Sequence, residues 1–599
     1  MSRLLHETTP PGRAPRPPST RAPPSAARRL ATLVGWSSTV ALVALLVLEG
    51  WELVHTPALR LALHSAVVLA IVLSTWQQAI RLRLGPRRLR YLARIAPETV
   101  LLVLLCLLYQ RPALWAFIAF VRQSSVVARM ATSTERYRRF MESLQARPAQ
   151  MLALSFMGII LGGALLLTFP RATTDGLGAG WVDALFTSTS ATCVTGLATL
   201  NTVADQFADP SRQTFSEFGQ AVILLLIQVG ALGIMTLSAA TIILVGRRLS
   251  LRSASLMQEI LDETSTSALK SAIRSIFLMT FVIEALGAAA LYPRFADLGN
   301  SPVRAVWLSV FHAISAFCNA GFSLYGDSLA SFRGDLWVNA VHAGLIILGG
   351  LGFTVVGALV APRTWRHGSS GFWRSLPLQA RLALVMTGIL LTGGTILYYF
   401  FEFDHSLAGL PVREKLIASA FQSVSFRTAG FNTVDMAALS RPMLLVSCLL
   451  MFIGASPGST AGGVKTTTVA VLVMSIRSSL MGHSHVEMGR RTIPSTVVTR
   501  SVSIVIMAGA VMSLGLVALL MSQPHISFDA LLFETLSALG TVGLSMGVTP
   551  QLTAVGKLVI IALMFVGRLG PLTVALAVGR TGGQSYRGYR YVEGKVIVG

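Results

Sequence analysis

The chain has 599 residues, of which 53% are hydrophobic and only 13% are charged, and its formal net charge is +23. A mean hydropathy of +0.65, with many apolar runs near the ~20 residues that a membrane helix needs, excludes an ordinary soluble protein. A basic excess in so apolar a chain is typical of cytoplasmic loops, so we expect a polytopic membrane protein with no nucleic-acid partner.

The N-terminal part predicts a tail followed by membrane helices. Residues 1–30 are rich in proline and arginine, which predicts a disordered basic tail. No apolar signal-peptide core is evident there, so we expect the first membrane helix to direct targeting. Apolar runs at about 31–54 and 58–80 predict two helices of an N-terminal extension, 31–147. The arginines that follow Arg81 place the N-terminus in the cytoplasm.

The rest of the extension is ambiguous in sequence. The apolar run 100–121 contains Pro112 and has basic residues on both flanks. Because a proline breaks a helix, we expect a short helical hairpin or a re-entrant pair. The basic segment 122–147 fits either an amphipathic helix on the inner membrane surface or a solvated linker.

From Pro148 onward one pattern occurs four times: a long apolar helix, a short helix, a stretch that closes on glycine, and a further long helix. The four units are 148–250, 251–362, 363–478 and 479–599, the last of which includes a cytoplasmic C-terminal tail. The predicted helices are 148–169, 180–191 and 216–246; 270–293, 303–316 and 335–361; 377–401, 412–425 and 440–475; and 498–521, 528–539 and 553–578. We therefore predict an all-α membrane protein with four repeats around one pseudo-fourfold pore.

The glycine-closed stretches, here called the glycine loops, are the candidate ion site. They comprise Thr192, Cys193, Val194, Thr195 and Gly196; Cys318, Asn319, Ala320 and Gly321; Thr428, Ala429 and Gly430; and Thr541, Val542 and Gly543. Rings of backbone carbonyls can replace the hydration shell of a cation, and glycine permits the dihedral angles that such a loop needs. A single Thr-Gly or Ala-Gly pair is a common turn sequence. Four glycine loops that recur roughly every 110 to 125 residues instead predict a pore.

The distribution of charged residues agrees with this division into four repeats. Arginines cluster between the units, on the predicted cytoplasmic side, and acidic residues such as Asp175, Asp205 and Asp209 lie on the side of the glycine loops. We expect weakly anionic outer vestibules that concentrate cations. Each short helix would direct the negative end of its dipole at the loop that follows it.

These segments resemble the Trk/Ktr/HKT superfamily of cation translocators, most closely its KtrB branch of potassium uptake subunits. The matching stretches are Phe186–Leu197, Ile223–Met235, Ala316–Phe322, Phe426–Asn432, Met451–Thr466 and the C-terminal Tyr589–Gly599. Val592 and Gly594 depart from the family's closing segment, and the first 147 residues lie outside the resemblance. Trk-type relatives carry additional N-terminal helices, so the choice of KtrB over Trk rests on the loop and tail motifs.

The resemblance implies a function, written here as expectations. The glycine loops would form a potassium filter in the bacterial inner membrane, with potassium as substrate and no bound cofactor. A homodimer with a cytosolic ring of nucleotide-binding, RCK-type regulatory subunits is implied, and sodium dependence is left open. In plant relatives a serine at the position of Gly196 is associated with sodium permeation.

The resemblance also implies a gate below the filter, the intramembrane loop 454–465. Its gating residues would be Gly458, Ser459, Thr460, Ala461, Gly462, Gly463 and Lys465, facing Arg568. Pro457 and the glycines cannot sustain a helix, and non-helical backbone at membrane depth must line water or be buried. The alternatives without a gating role are a packing kink of small residues for the loop and, for Arg568, an arginine that snorkels to the membrane interface. Arg427 is expected to brace its loop by bonding carbonyls.

Two other classes of function compete with a channel-like pathway. An ion-coupled secondary transporter would show inverted repeats and ionisable groups at the membrane midplane, and these repeats share one orientation. An intramembrane protease would pair Ser456 or Ser459 with His312 or His342, but no nucleophile–base spacing is present. We therefore expect that the protein is not an enzyme.

Overall fold

The computed structural model describes residues 25–45, 57–84, 118–119, 122–123, 125–127, 148–203, 211–233, 266–361, 364, 368–483, 485–488 and 491–578. The chain divides into two compact units, Met1–Arg139 and Phe140–Gly599. In the described part, a single hairpin of β1 (Val486–Met488) and β2 (Arg491–Ile493) is the only sheet. The predicted all-α class is confirmed.

The first compact unit contains two apolar helices, α1 (Ser25–Leu45) and α2 (Pro57–Leu84). Ala41 and Ala44 of α1 belong to one buried cluster with Val67 and Ala70 of α2. Helix α1 begins inside the segment 1–30 that was expected to be disordered. Alanine, arginine and leucine at positions 26–30 are good helix formers, so the helix extends backward through them.

The remaining predictions for this unit are tested only at a few positions. Most of the run 100–121 and of the segment 122–147 lies outside the described residues. Arg122, at the start of the basic segment, is fully buried. Its guanidinium donates to Ser74 Oγ at 2.8 Å and to Thr75 Oγ1 at 2.8 Å. The basic segment therefore does not begin on an exposed face.

The second compact unit carries the four repeats. The first repeat has α3 (Pro148–Leu167), α4 (Trp181–Thr192) and α5 (Glu217–Leu232), and the second has α6 (Thr266–Asp297), α7 (Pro302–Phe317), α8 (Leu336–Leu351) and α9 (Phe353–Val360). After α10 (Gly368–Ser375), the third has α11 (Leu378–Glu402), α12 (Val412–Ser425), α13 (Arg441–Phe452) and α14 (Thr466–Leu480). The fourth has α15 (Ser495–Ser522), α16 (Phe528–Gly540), α17 (Ala554–Leu569) and α18 (Pro571–Val578).

Length and apolarity assign these helices to a membrane. Four helices are long and apolar enough to cross one, and they are α3, α6, α11 and α15, the first helix of each repeat. Up to six spans result if each bent helix pair, α8 with α9 and α17 with α18, counts as one. The short helices α4, α7, α12 and α16 have 12 to 16 residues, too few for a crossing. The protein is a multi-pass membrane protein.

The prediction of continuous last helices in the second and fourth repeats was wrong. The chain bends by 104° between α8 and α9 and by 97° between α17 and α18. The bends lie at Gly352, with φ 88°, and at Gly570, with φ 85°. Positive φ angles are incompatible with a right-handed helix, and glycine adopts them readily. Helix α5 likewise ends at Gly233, with φ 75°, and the rest of the predicted helix 216–246 lies outside the described residues. In the third repeat the break between α13 and α14 falls where the intramembrane loop was expected.

Polar contacts join each repeat to the next one. In every case a residue near the start of a last helix bonds the first turns of the following repeat's short helix. The four contacts are Gln220 with Trp307 at 3.0 Å, Arg333 with Glu414 at 3.4 Å, Arg441 with Asp529 at 4.0 Å and Lys557 with Asp183 at 2.6 Å. The last contact returns from the fourth repeat to the first, so the repeats close into a ring.

Candidate ion pathway at the glycine loops

The four glycines that close the glycine loops lie against one another in the order of the chain. A Cβ built on Gly196 would lie 2.5 Å from the carbonyl oxygen of Ala320, and one on Gly430 would lie 2.5 Å from that of Val542. Equivalent clashes would join Gly321 to the Ala429 carbonyl and Gly543 to the Thr195 carbonyl. Each glycine thus abuts the peptide oxygen that precedes the next glycine in the ring, and only the absence of a side chain permits this approach.

A second left-handed position occurs in every loop. The residues two places before the glycines have φ of 57° at Val194, 59° at Asn319, 67° at Thr428 and 51° at Thr541. Such a conformation costs a residue with a Cβ about 1–3 kcal/mol, so the surroundings must hold it. The sequence predicted one permissive residue per loop and missed this position, because only Asn319 is of a type that favours the left-handed conformation, and Val and Thr at the other three positions give no such signal.

Serines of the short helices hold the loops. Ser190 Oγ accepts a hydrogen bond from the Gly196 N–H at 3.0 Å, and Ser537 Oγ accepts one from the Gly543 N–H at 3.1 Å. Ser315 donates to the Phe322 carbonyl at 2.7 Å, and Ser425 donates to that of Phe431. Sequence reasoning missed these residues, although a serine five or six residues before each glycine is a visible signal.

Oxygen atoms dominate the immediate surroundings of the loops. The hydroxyl groups of Thr192, Thr195, Thr428 and Thr541 are buried without a hydrogen-bond partner. Hydroxyl and carbonyl oxygens are the ligands that hard monovalent cations accept in filters. Among the described residues, no cluster of three or more His, Cys, Asp or Glu side chains could hold a metal ion. The chemistry of the loops is therefore that of neutral oxygen donors.

A cavity of about 250 Å³ opens on the C-terminal side of the loops. All four glycines line it, together with Arg212, Tyr325, Asn432 and Thr549. The described lining contains no carboxylate, so it does not show the anionic vestibule that was expected, and Asp205 and Asp209 lie outside the described residues. Glu534 is buried and accepts a hydrogen bond from the Thr549 hydroxyl.

Asp175, an acidic residue that was expected in the outer vestibule, does not line the cavity and is held by its own local contacts. Asp175 lies in the connection between α3 and α4 and is engaged by Thr173 Oγ1 at 2.6 Å and by Gln213 Nε2 at 2.7 Å. The hydrogen bond from Thr173 is the largest cause that holds the pKa of Asp175 below its usual value. This carboxylate is thus committed to local contacts.

The intramembrane loop is closed at its base. The Gly454 N–H donates to the Val464 carbonyl at 2.9 Å, and the Val464 N–H donates to the Phe452 carbonyl at 3.2 Å. Lys465 Nζ donates to the carbonyls of Ala461 at 2.7 Å and Gly462 at 3.3 Å. These bonds satisfy backbone groups that a break in a membrane helix would otherwise leave exposed.

The same loop is docked on the broken last helix of the second repeat. The N–H groups of Ser456 and Thr460 donate to the carbonyls of Gly350 at 3.0 Å and Gly349 at 3.3 Å. In return the Phe353 N–H donates to the Gly458 carbonyl at 3.1 Å. Thr460 Oγ1 also donates to the carbonyl of Phe317 at 3.3 Å, which immediately precedes the second glycine loop. The intramembrane loop therefore lies directly against that glycine loop.

Two arginines contact the intramembrane loop. Arg568 donates through Nη1 to the Thr460 carbonyl and through Nη2 to the Gly230 carbonyl at 2.6 Å, which joins the loop to the first repeat. Arg427 is 7% exposed and donates to the Gly454 carbonyl at 3.4 Å. Arg427 was expected to brace its own glycine loop, whereas this bond goes to a backbone carbonyl of the intramembrane loop. Ser459 Oγ is buried without a partner.

The residues of the protease alternative are not assembled. His312 is fully buried, with Nδ1 at 2.8 Å from the Leu308 carbonyl and Nε2 at 3.1 Å from Ser323 Oγ. His342 Nδ1 lies 2.9 Å from the Val338 carbonyl. Ser456 Oγ instead lies 3.3 Å from Thr466 Oγ1. In the part of the chain that the structure describes, neither histidine is hydrogen-bonded to Ser456 or Ser459, and both serve as core residues.

This arrangement defines a class: a multi-pass membrane protein in which four glycine loops meet at one point above a broken-helix loop. Residues 115–581 match the family described as "TrkH: Cation transport protein". The chain belongs to this family of cation transport proteins.

Individual relatives agree with this assignment. The chain is 39% identical over 434 residues to the Ktr system potassium uptake protein B of Vibrio alginolyticus, an alignment that covers 72% of this chain and 91% of the relative. It is 38% identical over 457 residues to the protein of the same name from Bacillus subtilis, with 76% and 97% covered. The crystal structure of the potassium transporter TrkH from Vibrio parahaemolyticus matches the fold with a TM-score of 0.59 at 17% identity, covering 82% of this chain and 99% of that one.

Proposed function

We propose that the protein is a potassium-selective uptake pathway of the bacterial inner membrane, in which potassium, the substrate, passes along the peptide oxygens of the glycine loops. The observation that carries the proposal is the ring in which each filter glycine abuts the peptide oxygen before the next one. Neutral carbonyl and hydroxyl donors suit a dehydrated monovalent cation. The names of the two Ktr relatives supply the ion and the direction of transport.

The intramembrane loop is the gate in this proposal. Its docking against Gly349 and Gly350, and the contact of Thr460 with the Phe317 carbonyl, place small residues next to the second glycine loop. Arg568 holds the loop by bonding the Thr460 carbonyl. Opening would require these bonds to break, because the loop cannot move while its carbonyl is held.

The proposal includes an assembly, for which the names of the relatives give support. Both are named protein B of a Ktr system, which indicates that further components take part. We extend the proposal to a homodimer that binds a cytosolic ring of nucleotide-binding, RCK-type regulatory subunits. Both termini are cytoplasmic in this arrangement, in keeping with the arginines that flank the helices. Growth in the assay below with and without sodium in the medium tests whether uptake depends on sodium.

Growth of an uptake-deficient bacterium on low potassium tests the proposal. The wild-type chain should restore growth, and Gly196→Ser should allow growth while lowering the preference for potassium over sodium. Gly196 has φ 99° and no room for a Cβ, so the first loop must shift. Gly158→Ser is the matched control, because a Cβ on Gly158 meets no atom within 4 Å, and it should behave as wild type.

The outcomes separate the possible readings. A wild-type chain that reaches the membrane and gives neither growth nor cation flux would refute potassium uptake. Unchanged selectivity in Gly196→Ser would refute the filter assignment. In liposomes, the current through a passive potassium pathway should reverse at the potassium equilibrium potential. There the electrical energy of a single charge, about 2.3 kcal/mol per 100 mV, balances the concentration gradient of potassium. A reversal potential that depends on a second ion would instead support a coupled secondary transporter.

A further inference from the structure

We propose that Glu284, Gln228 and Cys318, here called the Glu284 cluster, position the second glycine loop and thereby contribute to selectivity. The inference rests on the proposed function. None of the cluster's side chains lines the cavity above the loops. They act by holding Cys318, the residue at which the short helix α7 ends and the second glycine loop begins.

Glu284 lies in the middle of α6, one of the helices that cross the membrane, and is 5% exposed. An acid in such a place is costly unless its oxygen atoms are hydrogen-bonded, and it is a functional candidate by default. No lysine or arginine in the described ranges forms an ion pair with it, unlike Asp183 or Glu414 at the outer ends of the short helices. The carboxyl group therefore serves as a hydrogen-bond acceptor.

Three different elements meet at this carboxyl group. Gln228 Nε2, on α5 of the first repeat, donates to Oε1 at 3.1 Å and to Oε2 at 3.3 Å. The Cys318 thiol, at the C-terminus of α7, donates to Oε1 at 3.7 Å and lies 3.9 Å from Gln228 Oε1. The cluster joins the last helix of one repeat, the first helix of the next and the base of a glycine loop.

Each partner of Glu284 adjoins a residue of the pathway. Cys318 is followed by Asn319, which is held in the left-handed conformation at φ 59°, and then by Ala320 and Gly321. Gln228 lies two residues before Gly230, whose carbonyl accepts the hydrogen bond from Arg568. A shift of Cys318 changes the start of a strained loop, and the loop cannot absorb the change elsewhere because Gly321 abuts the Ala429 carbonyl.

Truncation and replacement of the acid test the proposal in liposomes that contain the full-length protein. Glu284→Ala leaves the Gln228 amide without its acceptor and leaves the Cys318 thiol only the Gln228 oxygen at 3.9 Å. We expect the preference for potassium over sodium to fall about tenfold, as loss of a buried hydrogen-bonded group does. Glu284→Gln keeps one acceptor oxygen at nearly the same place and should retain most of the preference. Thr280→Val is the control, since Thr280 is buried one helical turn away and its hydroxyl has no partner.

A double-mutant cycle distinguishes positioning from general damage. Cys318→Ala should lower the preference, and adding it to Glu284→Ala should cost little more, because both changes break the same contact. If Glu284→Ala fails to fold, Gln228→Leu replaces it in the cycle. Wild-type preference in Glu284→Ala, or strictly additive losses in the cycle, would overturn the inference. A wild-type protein that moves no potassium would instead overturn the proposed function.

Discussion

Arg568 Nη1 donates a hydrogen bond to the backbone carbonyl of Thr460, a residue 108 positions earlier in the chain. The same guanidinium donates to the Gly230 carbonyl at 2.6 Å. One charged side chain of the fourth repeat thus holds both the intramembrane loop of the third repeat and the last helix of the first. Arg568 thus adds a tie to the first repeat to the bonds by which the loop is docked on Gly349 and Gly350.

We predict that Arg568→Gln raises potassium flux about tenfold or more in the absence of any regulatory partner. Hydrogen bonds from a charged group contribute about 1.5–3 kcal/mol each, and the glutamine amide can replace at most one of the two. Flux into liposomes measures the change. Arg441→Gln is the control, because the Arg441 side chain is 93% exposed, and it should leave the flux unchanged. A folded Arg568→Gln protein with wild-type flux would contradict the gating role.

Gly352→Ala should release the intramembrane loop from its docking site. Gly352 has φ 88°, and a Cβ there would lie 2.7 Å from the Pro457 carbonyl, so the backbone must move. We expect a higher leak of potassium and a lower unfolding temperature. Gly357→Ala, five residues later in α9, meets no atom within 4 Å and should gain about 0.5–1 kcal/mol of stability from its better helix propensity. Equal behaviour of the two variants would show that the bend does not hold the loop.

Thr541→Gly should separate stability from selectivity. Thr541 has φ 51°, where a residue with a Cβ loses roughly 1–2 kcal/mol relative to glycine, so relief of strain offsets part of the lost packing. The added freedom of the fourth loop should nevertheless lower the preference for potassium. Thr535→Gly is the comparison, because this buried residue lies within helix α16 and gains no relief. Thermal unfolding should show a larger loss for Thr535→Gly, and a larger loss for Thr541→Gly would refute the strain.

Lys557→Met should weaken the seam between the fourth and first repeats. Lys557 Nζ lies 2.6 Å from Asp183 Oδ1, and the two side chains are 15% and 24% exposed. We expect a loss on the order of 1 kcal/mol, at the upper end of what partly exposed pairs contribute. Arg441→Met, which breaks a pair at 4.0 Å with exposures of 93% and 48%, should change stability by less than about 0.5 kcal/mol. Thermal unfolding at low and high salt measures both, and an equal loss in the two variants would contradict the distinction.

Much of the architecture could be predicted because it is written in local patterns. Apolar runs and glycine spacing indicated the membrane class, the four repeats and the short helices; α12, for example, spans the residues predicted for it. The breaks at Gly352 and Gly570 were missed because glycine and proline are frequent in membrane helices, although Gly349 and Gly350 precede the first break and Pro571 follows the second. Only contacts with other repeats, such as that of Gly352 with Pro457, require the left-handed conformation there.

The sequence by itself determined that four glycine loops exist, since each is a short local stretch that recurs at a similar spacing after a short helix. The tertiary structure alone decided which atoms meet: that Gly196 abuts the Ala320 carbonyl, that Arg568 reaches Thr460, and that Glu284 lies beside Cys318. These pairs are far apart in the chain, and no local preference encodes them. Their proximity follows from ring closure, in which the first and fourth repeats must pack together.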